Sequence, residues 1–218
     1  MCWLTCGLVR PLRQRSPGLS NAMNLIHTIF GQPLWSVASR FIRVTYRLHY
    51  NAHVAHLPKN IIALVDRQNK VHCAAGLRDF SEPYFSEHYL DDHIEGVISV
   101  ISGKPVKRYE IVEVSCLASR TPAASLHFIR DLILYNDELA FNWAFFTATS
   151  RLEKMLRRMH LPLINLGVAS SNRVPSPEMW GSYYQTNPRV LAVGRDHMGP
   201  FLIKKPELIT APNMHAHG

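Results

Sequence analysis

Residues 109–118 read Tyr-Glu-Ile-Val-Glu-Val-Ser-Cys-Leu-Ala, and residues 143–149 read Trp-Ala-Phe-Phe-Thr-Ala-Thr. Both are β-branched or aromatic and mostly apolar, the composition of strands buried on both faces. Between them, about 24 residues place Leu126, Ile129, Leu132, Ile133 and Leu139 at helical spacing. A strand–helix–strand unit with so long a crossover demands a parallel pair. Glu110 and Glu113 are out of place in such a strand, because a buried carboxylate must be paired, neutral or employed.

Outward from this unit, residues 61–65 and 71–76 form two strands around the polar turn 66–70, a hairpin. Residues 84–100 carry Phe85, Tyr89, Leu90, Ile94, Val97 and Ile98 near one helical face, and Gly103 and Pro105 end the run. Residues 151–160 form a short helix with Leu152, Met155, Leu156 and Met159 inward. Residues 163–168 and 189–193 add two strands. The expected fold is α/β (α+β): a central mixed twisted sheet with an antiparallel front, a parallel crossover behind and helices on both faces.

The chain has 218 residues, 47% hydrophobic and 18% charged, enough apolar material for a core and too much for a disordered or low-complexity chain. No uninterrupted apolar stretch is long enough to cross a bilayer, and no repeat period appears. The formal charge of +8 favours polyanionic partners. No zinc-finger spacing, RNP-like strand or long basic helix supports nucleic acid among them. Four cysteines in no framework pattern point to a reducing compartment. The 12 histidines show no metal-ligand spacing, so no metal is expected. Residues 1–22 are basic, with Arg10, Arg13 and Arg15 behind a short apolar run, the reverse of a secretory signal. They are expected to be a disordered leader or an artefactual start before Met23, with one domain over residues 23–218. A cytoplasmic location is expected, a secreted one being the alternative.

Four segments carry a resemblance. Residues 85–95 read Phe-Ser-Glu-His-Tyr-Leu-Asp-Asp-His-Ile-Glu, and residues 108–119 run from Arg108 through the Glu113 strand to Ser119. Residues 143–149 follow, and then Trp180-Gly-Ser-Tyr-Tyr184 with Pro188-Arg-Val190. In this order, over about residues 61–202, they resemble the bacterial thermostable haemolysins, and the element order resembles the GNAT acyltransferase fold and the acyl-homoserine-lactone synthases. The resemblance implies a three-layer GNAT-like sandwich. It also implies transfer of an acyl group from a coenzyme A or acyl-carrier-protein thioester to a small-molecule amine. The family name implies lysis of red cells and membrane contact. No long amphipathic helix is apparent to support that.

The chain departs from these patterns in two places. Ser115-Cys116 stands where the haemolysins have Gly-Asn, and the loop Ser119-Arg-Thr-Pro-Ala-Ala-Ser125 lacks the glycines of a GNAT pyrophosphate loop. Arg120 matches that loop's first position, and Ala123, Ala124 and Ser125 stand at its small-residue positions, at the start of a helix where amides and dipole favour phosphate. An ordinary cap by Ser119 or Thr121 is the alternative.

By period two, Glu113 and Ser115 share one face of their strand, and Glu110, Val112 and Cys116 the other. Glu113 suits a base or ammonium anchor for aminolysis of a thioester, with Ser115 and Glu95 beside it; it equally suits a buried ion pair with Arg108 or Arg120 at the strand's ends. Arg108, Trp180 and Tyr183 are the substrate-wall candidates, the aromatics also serving as core. Cys116 is expected to be a small core thiol.

Overall fold

The computed structural model describes residues 23–199. The expected leader at residues 1–22, Cys2 and Cys6, and the end of the tail lie outside them. In chain order the elements are β1 (Asn24–Ile29), α1 (Pro33–Tyr50), β2 (Asn60–Val65), β3 (Val71–Arg78), α2 (Ile94–Ser102), β4 (Ile111–Ser119), α3 (Pro122–Glu138), β5 (Trp143–Ala148), α4 (Ser150–Arg158), β6 (Ile164–Val168) and β7 (Arg189–Gly194). The strands make one seven-stranded sheet in the order β1-β2-β3-β4-β5-β7-β6. Every neighbouring pair is antiparallel except β4 and β5, which are parallel. The mixed sheet with a parallel step at the strand–helix–strand unit is the expected architecture.

Alternation along the strands sorts the helices into two layers. Ile61, Ala63 and Val65 of β2 pack with Ala38 and Ile42 of α1, and Ile111 and Phe145 pack with Ile94 and Ile98 of α2. On the other face Ile62, Leu64 and Val112 meet Phe128 and Leu132 of α3, and Leu156 of α4 packs with Ile129 and Val193. The result is a three-layer sandwich with α1 and α2 on one side and α3 and α4 on the other.

Two elements were missed and three expectations need correction. The first helix and edge strand, α1 and β1, were not read at all, although α1 is the longest helix of the described residues. The single helix expected over residues 84–100 is a 3-10 turn, Ser86–Tyr89, followed by α2. The break falls where the Ile94 amide donates to the Glu87 carboxylate, 3.0 Å away, and the chain restarts. Glu110 is not in the strand: it closes a 3-10 turn at Arg108–Glu110, accepts from the Lys107 amide at 2.6 Å and takes the Asn142 side chain at 2.6 Å. That gives a half-buried carboxylate an ordinary structural post. Finally, period two fails at Cys116. This residue has φ of 51°, and the β3–β4 register shifts between Ala74 and Gly76. The extra residue is a β-bulge, and it puts Cys116 and Ala118 on the α1 side with Glu113 and Ser115. Opposite Ser115, Gly76 has no room for a side chain, since a Cβ there would lie 2.5 Å from Cγ of Pro58.

Candidate functional site

Strands β4 and β5 pair only through Ile111, Val112 and Glu113 against Trp143, Ala144 and Phe145. Past that point they part, and a cavity of about 960 Å³ opens between them. From β4 it is lined by Cys116 and Ala118, from β5 by Phe146 and Thr147, and on the α1 side by Tyr46, Tyr50 and Tyr183. On the other side it runs between α3 and α4 over Leu126, Ile129, Ile133, Leu152 and Met155. Apolar side chains at helical spacing on two facing helices leave a greasy trough rather than a polar cleft.

The rim is different in kind. Both α3 and α4 begin there, capped by Thr121 and Thr149, whose hydroxyls accept from the amides of Ala124 and Leu152 at 3.2 Å. Two helix N-termini therefore point partial positive charge at the gap, alongside Arg120, Arg151 and Lys154. Arg120 is exposed, its Nε donates to the Val71 carbonyl at 2.9 Å, and its guanidinium lies 5.3 Å from the Phe41 ring centre. Of the proposed phosphate-loop residues, Arg120 and Ser125 line the cavity and Ala123 and Ala124 do not. Pro122 has no amide, and those of Ala124 and Ser125 are taken by Thr121, so Ala123 supplies the first-turn amide not used by the cap.

Glu113 is fully buried. Its carboxylate accepts from four donors: Arg78 at 3.2 Å, the Phe85 amide at 2.8 Å, and the Ser86 amide and hydroxyl at 2.7 and 2.6 Å. Arg78 stands directly opposite Glu113 in the β3–β4 register and also donates to the Ser115 hydroxyl at 3.0 Å. Glu113 is thus in an ion pair, with Arg78 rather than with Arg108 or Arg120. Its other bonds cap the 3-10 turn, whose first amides would otherwise be orphaned. Glu113 and Ser115 do not line the cavity; Cys116, the next residue, does. Burial pushes the Cys116 thiol up to about 11, with nearby Glu113 adding to the rise and Arg78 opposing it.

Glu95 and Arg108 belong to a second ionic centre. Arg108 clamps both oxygens of Glu87 at 2.6 and 2.8 Å, reaches Glu95 at 2.8 Å, and lies 4.3 Å over the Tyr84 ring. Burial raises the Glu87 carboxyl, but the bonds from Arg108 and the Ile94 amide outweigh it, leaving it below the ordinary range. Trp180 and Tyr183 join an aromatic cluster. Tyr183 stacks 6.2 Å from Tyr46 and meets Tyr50 edge-on at 5.3 Å, and Trp180 packs on Phe85 at 5.2 Å. The chain carrying them is held against the end of α1 at Gly181, where a Cβ would lie 2.1 Å from the Tyr50 carbonyl oxygen. Tyr183 reaches the cavity and Trp180 does not. Arg78, Ser86, Tyr46 and Tyr50 were missed. Arg78 was detectable in principle, because a buried Glu113 needs a cross-strand cation, but the β3–β4 register was required to find it. Among the described residues no group of three or more potential metal ligands comes together, and no helix is long and apolar enough to cross a membrane.

Comparison with known proteins bears on the family and the fold. Residues 30–198 match the family profile described as Thermostable hemolysin. No curated protein matches the sequence. Among solved structures the chain is similar to the AHL synthase LasI, with 11% identity, a TM-score of 0.55, and coverage of 80% of this chain and 91% of that one. It is similar to TofI in an apo form, at 12% identity and a TM-score of 0.54, covering 82% and 95%. It is also similar to FeeM, an N-acyl amino acid synthase from uncultured soil microbes, at 12% identity and a TM-score of 0.51, covering 79% and 98%. At these identities the likeness is one of fold, and the fold is GNAT-like.

Proposed function

This chain belongs to the thermostable hemolysin family, and we propose that it is an N-acyltransferase that moves an acyl chain from a coenzyme A or acyl-carrier thioester to a small amine. The observation that carries the reading is the parting of β4 and β5 onto an apolar cavity whose rim holds two helix N-termini and three cations. That pairing of surfaces suits a donor with a hydrocarbon tail and a phosphate-bearing arm. The tail lies between α3 and α4, the phosphate against Arg120 and the Ala123 amide, and the thioester in the gap beside the Cys116 bulge. In the reaction the amine nitrogen attacks the thioester carbonyl, the C–N bond forms, the C–S bond breaks, and the amine's proton leaves with the thiol. Glu113 works through Arg78, which it holds against Ser115, and is a positioning residue. Tyr183, with Tyr46 and Tyr50, walls the acceptor side, next to Trp180; Arg108 and Glu95 secure the segment that carries Glu87.

The test is a titration with acyl thioesters of increasing chain length, followed by thermal shift and by chromatographic assay of released thiol with mixed amines. Affinity should rise with chain length, and Ile129→Trp, which fills the trough, should abolish that rise. Absence of binding to any thioester would overturn the reading. A thioester-binding module without turnover is the second reading, favoured by Pro122 and Thr121 occupying most of the α3 N-terminus. Binding without thiol release in the presence of any amine identifies it.

A further inference from the structure

A buried hydroxyl is ordinarily hydrogen-bonded. Tyr84 donates to the Ile111 carbonyl at 2.7 Å, Tyr89 and Tyr184 bond each other at 2.8 Å, and Tyr135 bonds His27 at 2.9 Å. Tyr46 and Tyr183 break the rule. They are 8% and 6% exposed, and among the described residues neither hydroxyl has a hydrogen-bond partner. Nor is either oxygen among the side-chain atoms sealed from solvent without a bond. The ring faces are taken up: Tyr46 and Tyr183 stack at 6.2 Å, and Tyr50 meets them at 5.5 and 5.3 Å. What each offers to the cavity it lines is therefore its hydroxyl end. Cys116, the bulge residue of β4, packs on the same cluster and lines the same cavity. Among the described residues one acid lines the cavity, Asp137 near the far end of α3, and it pairs with Arg195 at 2.8 Å. Burial, with Cys116 adding to it, raises both phenols above their ordinary range, so they meet a ligand as neutral donors.

Building on the acyl-transfer reading, we propose that the Tyr46 and Tyr183 hydroxyls receive the carbonyl oxygen of the thioester as it becomes an oxyanion. That is a catalytic task beyond walling the acceptor. Attack of the amine nitrogen on the carbonyl carbon forms the C–N bond and moves the C=O π electrons onto oxygen. The two O–H groups hold that charge. Collapse re-forms C=O and breaks C–S, and the departing sulfur takes the proton that nitrogen gives up. The phenols keep their own protons throughout. Donors already fixed in place stabilise a developing charge more than water that must reorient. Binding the acceptor as an ammonium is the poorer use, since two neutral oxygens beside the cations of the rim give it no counter-charge.

The experiment compares Tyr46→Phe and Tyr183→Phe, each of which removes one oxygen and keeps the ring, with the wild-type chain. Each should lower kcat about 10²-fold, with melting temperature, thioester Kd by calorimetry and amine KM unchanged. Tyr84→Phe, which loses its bond to the Ile111 carbonyl, should do the reverse: a lower melting temperature with normal turnover per folded molecule. A second measurement needs no turnover. Infrared spectra of a bound acyl thioester with an isotope-labelled carbonyl, taken without amine, should show a lower carbonyl stretch in the wild type than in either variant. Wild-type kcat in both variants overturns the proposal. So does a raised amine KM at unchanged kcat, which makes the hydroxyls part of the acceptor's binding surface, and so does a carbonyl stretch that neither variant shifts. Failure of the wild-type chain to bind any acyl thioester is a different result: it removes the acyl-transfer reading, and the proposal with it.

Discussion

Two carboxylate–arginine centres in this protein are built from the same chemistry and differ in their surroundings. Glu113 and Arg78 meet across two strands with no access to water at the carboxylate, whose two oxygens accept four hydrogen bonds. Glu87, Glu95 and Arg108 meet at the foot of α2, with the guanidinium about a quarter exposed. In the first centre, removal of one member strands the other in a low-dielectric core. In the second, water can take over what is lost. The contrast separates a group that the fold requires from one that it only uses.

Breaking the buried centre should give the largest effect. Arg78→Ala leaves Glu113 charged, buried and short of a partner, and should cost about 3–5 kcal/mol in denaturant unfolding; a loss below about 1 kcal/mol would erase the contrast. Glu113→Gln comes next, at about 2–4 kcal/mol, because an amide nitrogen must then face either the Phe85 amide and Arg78 or the Ser86 amide, donors in both cases. Measured turnover per folded molecule on the same preparation separates stability from catalysis. If activity in the folded fraction is normal, Glu113 has only the structural task. Glu87→Gln should cost about 1 kcal/mol, discounted for the exposure of Arg108. Its effect should depend on pH. The Glu87 carboxyl is lowered in the folded protein, so its contribution is complete above the ordinary carboxylate range and is lost as pH falls through the folded value. Wild type and variant should converge in melting temperature at acid pH. Glu95→Gln should lie within about 0.5 kcal/mol of wild type. A smaller readout concerns the cavity. With its thiol raised to about 11, Cys116 should alkylate slowly at neutral pH and faster toward pH 11, as peptide mapping after iodoacetamide treatment would report. Rapid labelling at pH 7 would contradict that assignment.

Much of the sheet was legible in the residues. The strand–helix–strand unit forced the parallel β4–β5 pair, and the polar turn at residues 66–70 forced the β2–β3 hairpin. Helix α1 was missed although Leu34, Ala38, Ile42 and Tyr46 recur at helical spacing and its polar residues gather on the other side; Pro33 at its start reads as a loop signal as readily as a helix N-terminus. The Cys116 bulge left no mark: cysteine is not a residue that announces a positive φ, as glycine or asparagine does. One misjudged residue was enough to send Cys116 to the wrong face. Within the site, Glu113 stood out by composition alone, while its true partner depended on a register between distant strands. The separation of Glu95 and Arg108 from Glu113 likewise needed the break before α2, which apolar spacing over residues 84–100 had concealed.

The short pairing of β4 and β5 has a mechanical side. Three residue pairs are the whole seam between two leaves, one of four strands and one of three. The Ser86 hydroxyl lies across that seam as a rivet, 2.6 Å from Glu113 on one leaf and 2.9 Å from Thr147 on the other. Such a sheet resembles a book held at the spine: the pages carry the contents, and a few atoms at the binding set how wide it opens.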